Sequence, residues 1–289
     1  MEREREDETV KIAVIGLGRM GHAVAQRLSG EHDLVLWNRT SEKGSDLLGD
    51  HTTWADSPAD AVQGVDAVVT SLADDDAVRD LLFGQEGLAA ALPPETTLVD
   101  ASTISPSLSA EIDETLPHYV ALPILGAPQA VLSGDAMYLA GGSDELMDSL
   151  GPLFASLGGQ HKRYGSPPLA CAGKLAVNLL LLSGIVTLAE AIEVGRAGGL
   201  GDEELRDLLH STPMLAPGLS NRYDGVFAGH GETWWPPPLA AKDARLANDL
   251  ANAGGAKLRL TPVLQAAYES AVEIGLADED MVAVARIYH

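Results

Sequence analysis

The most apolar stretch of this 289-residue chain holds a lysine. From Cys171 to Ala191 it reads CAGKLAVNLLLLSGIVTLAEA, with Lys174 four residues ahead of Asn178. Burying an unpaired amine is costly unless it can shed its proton, so a helix meant only for packing should avoid one. Positions i and i+4 project from one face of a helix, so this amine and this amide can meet a single substrate oxygen. The alternative is a lysine that snorkels its head group to water. Leu181, Leu182, Ile185 and Ala189 continue the stripe as apolar side chains, so only the start of the helix is expected to face a wet cleft. Cys171, one turn before Lys174, reads as a small buried hydrophobe rather than a nucleophile.

A second chemical feature lies near the N-terminus. Gly16, Leu17, Gly18, Arg19, Met20 and Gly21 form a G-x-G-x-x-G turn between the β-branched run VKIAVI and the helical pattern HAVAQRL. In that context the glycines have separate tasks. Gly16 permits a tight turn, Gly18 admits a pyrophosphate to the backbone, and Gly21 lets helix and strand pack closely. An anion would then face the helix N-terminus. About 20 residues further on, where an acidic side chain would bond a ribose 2′-hydroxyl, stand Asn38, Arg39 and Thr40. An arginine there can pair with a 2′-phosphate, and the amide and hydroxyl can donate to it, so NADP(H) rather than NAD(H) is the expected cofactor.

These residues need a scaffold, and the chain reads as one. Strands are expected at VKIAVI, DLVLWN, DAVVTSL, TTLVDAS, HYVALPIL and MYLAGG, separated by helical or turn-rich segments and followed by one helix over SDELMDSLGPLFASLG. Such alternation predicts an α/β fold, a Rossmann-type doubly wound parallel sheet with helices on both faces. From Pro167 onward the pattern is helical, at Leu169 to Ala197, Asp202 to His210, Ala241 to Ala253 and Pro262 to Ile274. Two domains are therefore expected, 1–166 binding NADP and 167–289 all-helical. The proline triplet in HGETWWPPPL predicts an extended loop.

Composition narrows the partners. With 42 acidic residues against 19 basic ones the formal net charge is −23, which repels phosphate backbones and anionic membranes. Only six residues are lysines, and acidic side chains cluster at Glu2 to Glu8, Asp74 to Asp76 and Asp278 to Asp280, a composition that also suits a salt-rich cell interior. The charged N-terminus does not read as a signal peptide, and Asn178, Ser183 and Thr187 interrupt the apolar run, so no membrane span is expected. A lone cysteine excludes an internal disulfide and suits a reducing cytoplasm, and no zinc-type spacing occurs.

Five motifs in order, GLGRMG, DASTISP, PILGAPQAVLSG, GKLAVN and KDARLA, resemble the β-hydroxyacid dehydrogenases, the family of 3-hydroxyisobutyrate dehydrogenases. The resemblance spans nearly the whole chain after Thr9. It implies that Lys174 is the general acid/base and Asn178 its neighbour on the substrate oxygen, in a carbonyl–alcohol interconversion coupled to a nicotinamide. It also implies that Leu72, Ala73 and Thr103 meet the cofactor and that Ser102 lies beside the nicotinamide. Lys242 would close the cofactor side of the cleft, with pairing to Asp243 or another surface acid as its alternative. A homodimer and a small-molecule substrate follow from the same resemblance.

One departure stands out. The family pattern carries a serine where this chain has Leu125, between Ile124 and Gly126, so a donor to the substrate carboxylate is missing and the site is more apolar. Gly126 and Gly134 keep the loop's path, and its backbone N–H groups remain available to an anion. That shift raises imine reductases and reductive aminases as an alternative, with Trp234 and Trp235 lining the substrate pocket or anchoring the proline loop. Lys174 argues against it, because those enzymes commonly carry Asp or Tyr there. A third reading is a sensor that binds NADPH without turnover.

Overall fold

The computed structural model describes residues 10–85 and 87–289, so the acidic run Glu2 to Glu8 lies outside the described residues. The chain divides into two compact units, Met1–Lys174 and Leu175–His289. The division falls inside one long helix, Pro167–Ala197. The expected boundary between 166 and 167 is the start of that helix, whereas the packing changes after Lys174.

In the first unit nine strands form one sheet. They are β1 (Lys11–Ile15), β2 (Asp33–Trp37), β3 (Thr52–Trp54), β4 (Ala67–Thr70), β5 (Thr97–Asp100), β6 (Tyr119–Ala121), β7 (Ile124–Leu125), β8 (Met137–Gly141) and β9 (Gln160–Tyr164). Their order is β3-β2-β1-β4-β5-β6-β8-β7, with β9 beside β8. Strands β3 to β6 of that path run parallel, in the doubly wound order that switches direction between β1 and β4. β4 and β5 are buried at every residue, as strands covered on both faces must be. Their alternate side chains feed two cores: Ile12, Val14, Val69 and Val99 on one face, Ala13, Ile15, Val68 and Leu98 on the other.

The far edge of the sheet differs from the expectation. The segment HYVALPIL makes two short strands rather than one, β6 and β7, and β8 runs antiparallel to both. Strands β3 and β9 carry no periodic signal. β3 has only three residues, and β9 is a largely exposed edge, Gln160, His161, Lys162, Arg163, Tyr164. The single helix expected over SDELMDSLGPLFASLG divides at Leu150 into Asp144–Ser149 and Gly151–Leu157, with Pro152 restarting the chain in a first turn where its missing N–H is harmless.

The second unit is entirely helical. Leu182, Ile185, Leu188 and Ile192 of the long helix pack in one core with Tyr223, Phe227, Leu264 and Tyr268. Other helices are Asp202–Ser211, Tyr223–Ala228, Pro237–Ala253 and Thr261–Glu273, with a final 3₁₀ segment, Met281–Tyr288. The proline triplet does not form an extended loop. Pro236 caps the helix that Pro237 and Pro238 begin, since a ring with fixed φ and no N–H suits a first turn.

By length and composition alone one helix among the described residues could cross a membrane, a test that the core helix of a packed protein also passes. Helix Pro167–Ala197 has 31 residues and a mean hydropathy of 2.0 over its most apolar window. Two of its polar interruptions are bonded: Ser183 Oγ donates to the Leu179 carbonyl at 2.8 Å, and Asn178 Nδ2 donates to the buried Asp243. In the second unit this helix is the centre of a packed core, the other setting in which such a segment occurs.

Candidate functional site

The glycine turn is built by backbone approach. Gly16 has φ +93°, and a Cβ on it would lie 2.4 Å from the Ser71 carbonyl oxygen. A Cβ on Gly21 would lie 1.9 Å from the Gly16 oxygen, so the helix Arg19–Leu28 packs against the turn as only glycine allows. Gly18 differs from both, since nothing lies within 4 Å of where its Cβ would be. That open side adjoins a helix N-terminus with no side-chain cap and no acidic residue in its first turn. Unclaimed N–H groups and a positive helix end beside an open backbone fit a pyrophosphate.

Asn38, expected to face a 2′-phosphate, is tied to the turn. Its Oδ1 accepts the Leu17 N–H at 2.9 Å and its Nδ2 donates to the Thr40 carbonyl at 2.8 Å. The amide therefore sets the shape of the loop after β2, while Arg39 and Thr40 stay exposed beyond it. His22 reaches across to the following segment, with Nε2 2.9 Å from Asp46 Oδ2.

The switch between β1 and β4 places a crevice beyond the carboxyl ends of these strands. Leu72 and Ser102 follow β4 and β5 at that edge and bond each other, Leu72 N–H donating to Ser102 Oγ at 2.8 Å. Ala73 and Thr103, the next residues of each strand end, are exposed and half-buried respectively. Lys174 is half-buried, and its Nζ donates to the Ile124 carbonyl at 2.6 Å. The amine is thus held on β7, next to Leu125 and to Gly126, whose φ of +147° only glycine adopts without strain.

In the helical unit Asn178 is buried, and its Nδ2 donates to Asp243 Oδ2 at 2.7 Å. Asp243 is equally buried and its Oδ1 lies 2.8 Å from Lys242 Nζ. This pair is the one that the sequence offered as an alternative for Lys242. Asp243 is the residue that the sequence leaves without a site role: 65 positions separate it from Asn178, and only the acid beside Lys242 in KDARLA hints at it.

Trp234 lines a cavity of about 280 Å³ with Arg222, His230, Glu232 and Asp280, none of them among the expected site residues. Its backbone N–H donates to Asp280 Oδ2 at 2.9 Å, and the Arg222 guanidinium lies 5.3 Å from its ring centroid. Burial pushes the Cys171 thiol up to about 12, which leaves it a neutral packing group.

The fold and the glycine turn are those of a dinucleotide-binding unit followed by a helical one. A family described as the NAD binding domain of 6-phosphogluconate dehydrogenase matches residues 11–165, and one described as NAD-binding of NADP-dependent 3-hydroxyisobutyrate dehydrogenase matches residues 170–288. An oxidoreductase of Bacillus subtilis that is itself uncharacterised is 31% identical over 286 residues, 95% of this chain and 98% of its own. Glyoxylate/succinic semialdehyde reductase 2 of Arabidopsis thaliana is 28% identical over 96% of this chain and 78% of its own. The structure of Mycobacterium tuberculosis 3-hydroxyisobutyrate dehydrogenase with L-serine aligns with a TM-score of 0.83 at 22% identity, covering 97% of this chain and 99% of that one. Imine reductases are among the structures that share the fold. The chain belongs to the β-hydroxyacid dehydrogenase family of NAD(P)-dependent dehydrogenases and reductases.

Proposed function

We propose that this protein is an NADPH-dependent reductase that interconverts a small carbonyl compound and its alcohol, with Lys174 as general acid/base. The observation that carries the reading is the amine of Lys174, held at 2.6 Å on the Ile124 carbonyl, on the same helix and one turn before a buried amide, Asn178. The nicotinamide, when bound, supplies the hydride in reduction and accepts it in oxidation.

Lys174 gives its proton to the substrate oxygen as negative charge grows there, and a neutral Lys174 takes it back in the reverse direction. Asn178 orients that oxygen. Because Asp243 takes one of its N–H groups, the amide is fixed in one orientation. Gly18 and the first turn of helix Arg19–Leu28 hold the pyrophosphate, and Arg39 pairs with the 2′-phosphate. Leu17 and Asn38 set the turn, Leu72, Ala73 and Thr103 flank the nicotinamide, and Ser102, Leu125 and Gly126 border the substrate.

Leu125 favours a second substrate class on the same machinery, imines, because an apolar side chain there suits a less polar substrate than a hydroxy acid. The relative that reduces glyoxylate and succinic semialdehyde supports the carbonyl reading. The protein works as a homodimer in the cytoplasm. Leu180 and Val194 of the long helix, each 74% exposed, offer apolar surface for a second copy, and light scattering at 30.2 kDa would contradict the dimer.

The test is cofactor oxidation by purified protein, with NADPH or NADH, against short semialdehydes, larger ketones and cyclic imines in low and high KCl. Carbonyl turnover with NADPH is expected. Preference for imines would transfer the assignment to the second class, and tight NADPH binding without any turnover would leave a sensor.

A further inference from the structure

Asp100 is the last residue of β5 and is 2% exposed, with no role in the chemistry so far. Its register partner on β4 is Thr70, the last residue of that strand. Thr70 Oγ1 donates to Asp100 Oδ1 at 2.8 Å, and the Ser102 N–H donates to the same oxygen at 3.1 Å. Ser102 in turn accepts the Leu72 N–H. One carboxyl oxygen therefore joins the ends of β4 and β5 and fixes the residue that receives the next backbone donor. The peptide it steadies, Ser71–Leu72, is the one whose carbonyl lies against Gly16 in the cofactor turn.

We propose that Asp100 is a positioning residue for the nicotinamide half of the cofactor, acting through Ser102 and Leu72 without touching cofactor or substrate. Strand ends at a topological switch point form the floor of a dinucleotide crevice, and a floor joined by hydrogen bonds binds without further ordering cost. The second oxygen, Oδ2, is buried and has no hydrogen-bond partner among the described residues. Burial holds the carboxyl above its ordinary range, and the hydrogen bonds from Thr70 and Ser102 oppose that rise. The role needs an oxygen in that place, and an amide can provide it.

The inference rests on the proposed reading that the crevice holds NADPH. Its test is NADPH dissociation measured by fluorescence, with KM and kcat where turnover exists, for wild type, Asp100→Asn and Asp100→Ala. Losing the acceptor leaves buried donors unpaired, so Asp100→Ala is expected to weaken NADPH binding about tenfold, and Asp100→Asn to restore it to within about threefold. A general structural role would lower the melting temperature of both variants and leave the dissociation constant of the folded fraction unchanged, which would overturn the proposal. An asparagine variant as damaged as the alanine one would overturn it too. If Asp100→Ala does not fold, Ser102→Ala decides: it removes the acceptor of the Leu72 N–H and should weaken NADPH about tenfold, and unchanged binding would end the idea. Wild type that binds neither NADPH nor NADH refutes the functional reading and this inference together. Wild type that binds NADPH and reduces nothing refutes only the chemistry, and the dissociation constants still decide the part played by Asp100.

Discussion

The glycine turn and the Asn178–Asp243–Lys242 cluster are built on opposite plans. In the turn the backbone does the work, and side chains are excluded to let peptide groups approach each other or a ligand. In the helical unit a buried carboxylate collects an amide and an ammonium group, and the backbone serves only to carry them. A site made by excluding side chains leaves a mark in sequence as glycines at fixed spacing. A site made by pairing side chains from distant helices leaves almost none.

The sharpest way to break the first plan is Gly21→Ala. With its Cβ placed 1.9 Å from the Gly16 oxygen, the helix must move off the turn, and loss of dinucleotide binding with marked loss of stability is expected in a melt with and without NADPH. Gly18→Ala is the sharpening partner, because its Cβ meets nothing within 4 Å. The melting temperature of the free protein should hold while NADPH affinity falls, and a Gly18→Ala protein that binds NADPH normally would contradict the pyrophosphate site.

The second plan breaks at Asp243. Asp243→Ala removes the acceptor of the buried Asn178 amide and one partner of Lys242, for an expected stability loss of about 1–3 kcal/mol by denaturant unfolding. Activity should fall further than stability explains, since Asn178 is then free to turn. Unchanged kcat would show that its orientation is unimportant.

The smallest effect concerns pH and lies outside both plans. His32 is buried, its Nδ1 accepting the Val10 N–H at 3.2 Å and its Nε2 lying 2.8 Å from Ser156 Oγ. Burial holds its folded pKa below the ordinary 6.5, with Glu31 opposing. The unfolded chain therefore takes up the proton first, so this contribution to stability is complete above pH 6.5 and is lost as pH falls below it. Denaturant midpoints at pH 7 and pH 5 should differ more for wild type than for His32→Gln.

Much of the fold is legible in the sequence because buried parallel strands read as β-branched runs and the glycines have no other use. What escaped has physical reasons. β3 is too short for a period and β9 is an exposed edge. Pro236 to Pro238 look like a helix breaker but stand where a helix begins. Asn38 has the chemistry to bind a phosphate, yet its two bonds hold the loop. That Lys174 and Asn178 share one helix could be read from the sequence, whereas the Asp243 bond to Asn178 could not, because nothing local to KDARLA points to a partner in GKLAVN.

The central claim is that Lys174 moves the proton. The most direct measurement is single-turnover reduction of the best carbonyl substrate by NADPH-loaded wild type and Lys174→Ala, with NADPH affinity measured alongside. A loss of about 10²–10⁴ in rate at unchanged NADPH affinity is the predicted result. A Lys174→Ala protein that binds NADPH and reduces the same carbonyl at the wild-type rate would contradict the account.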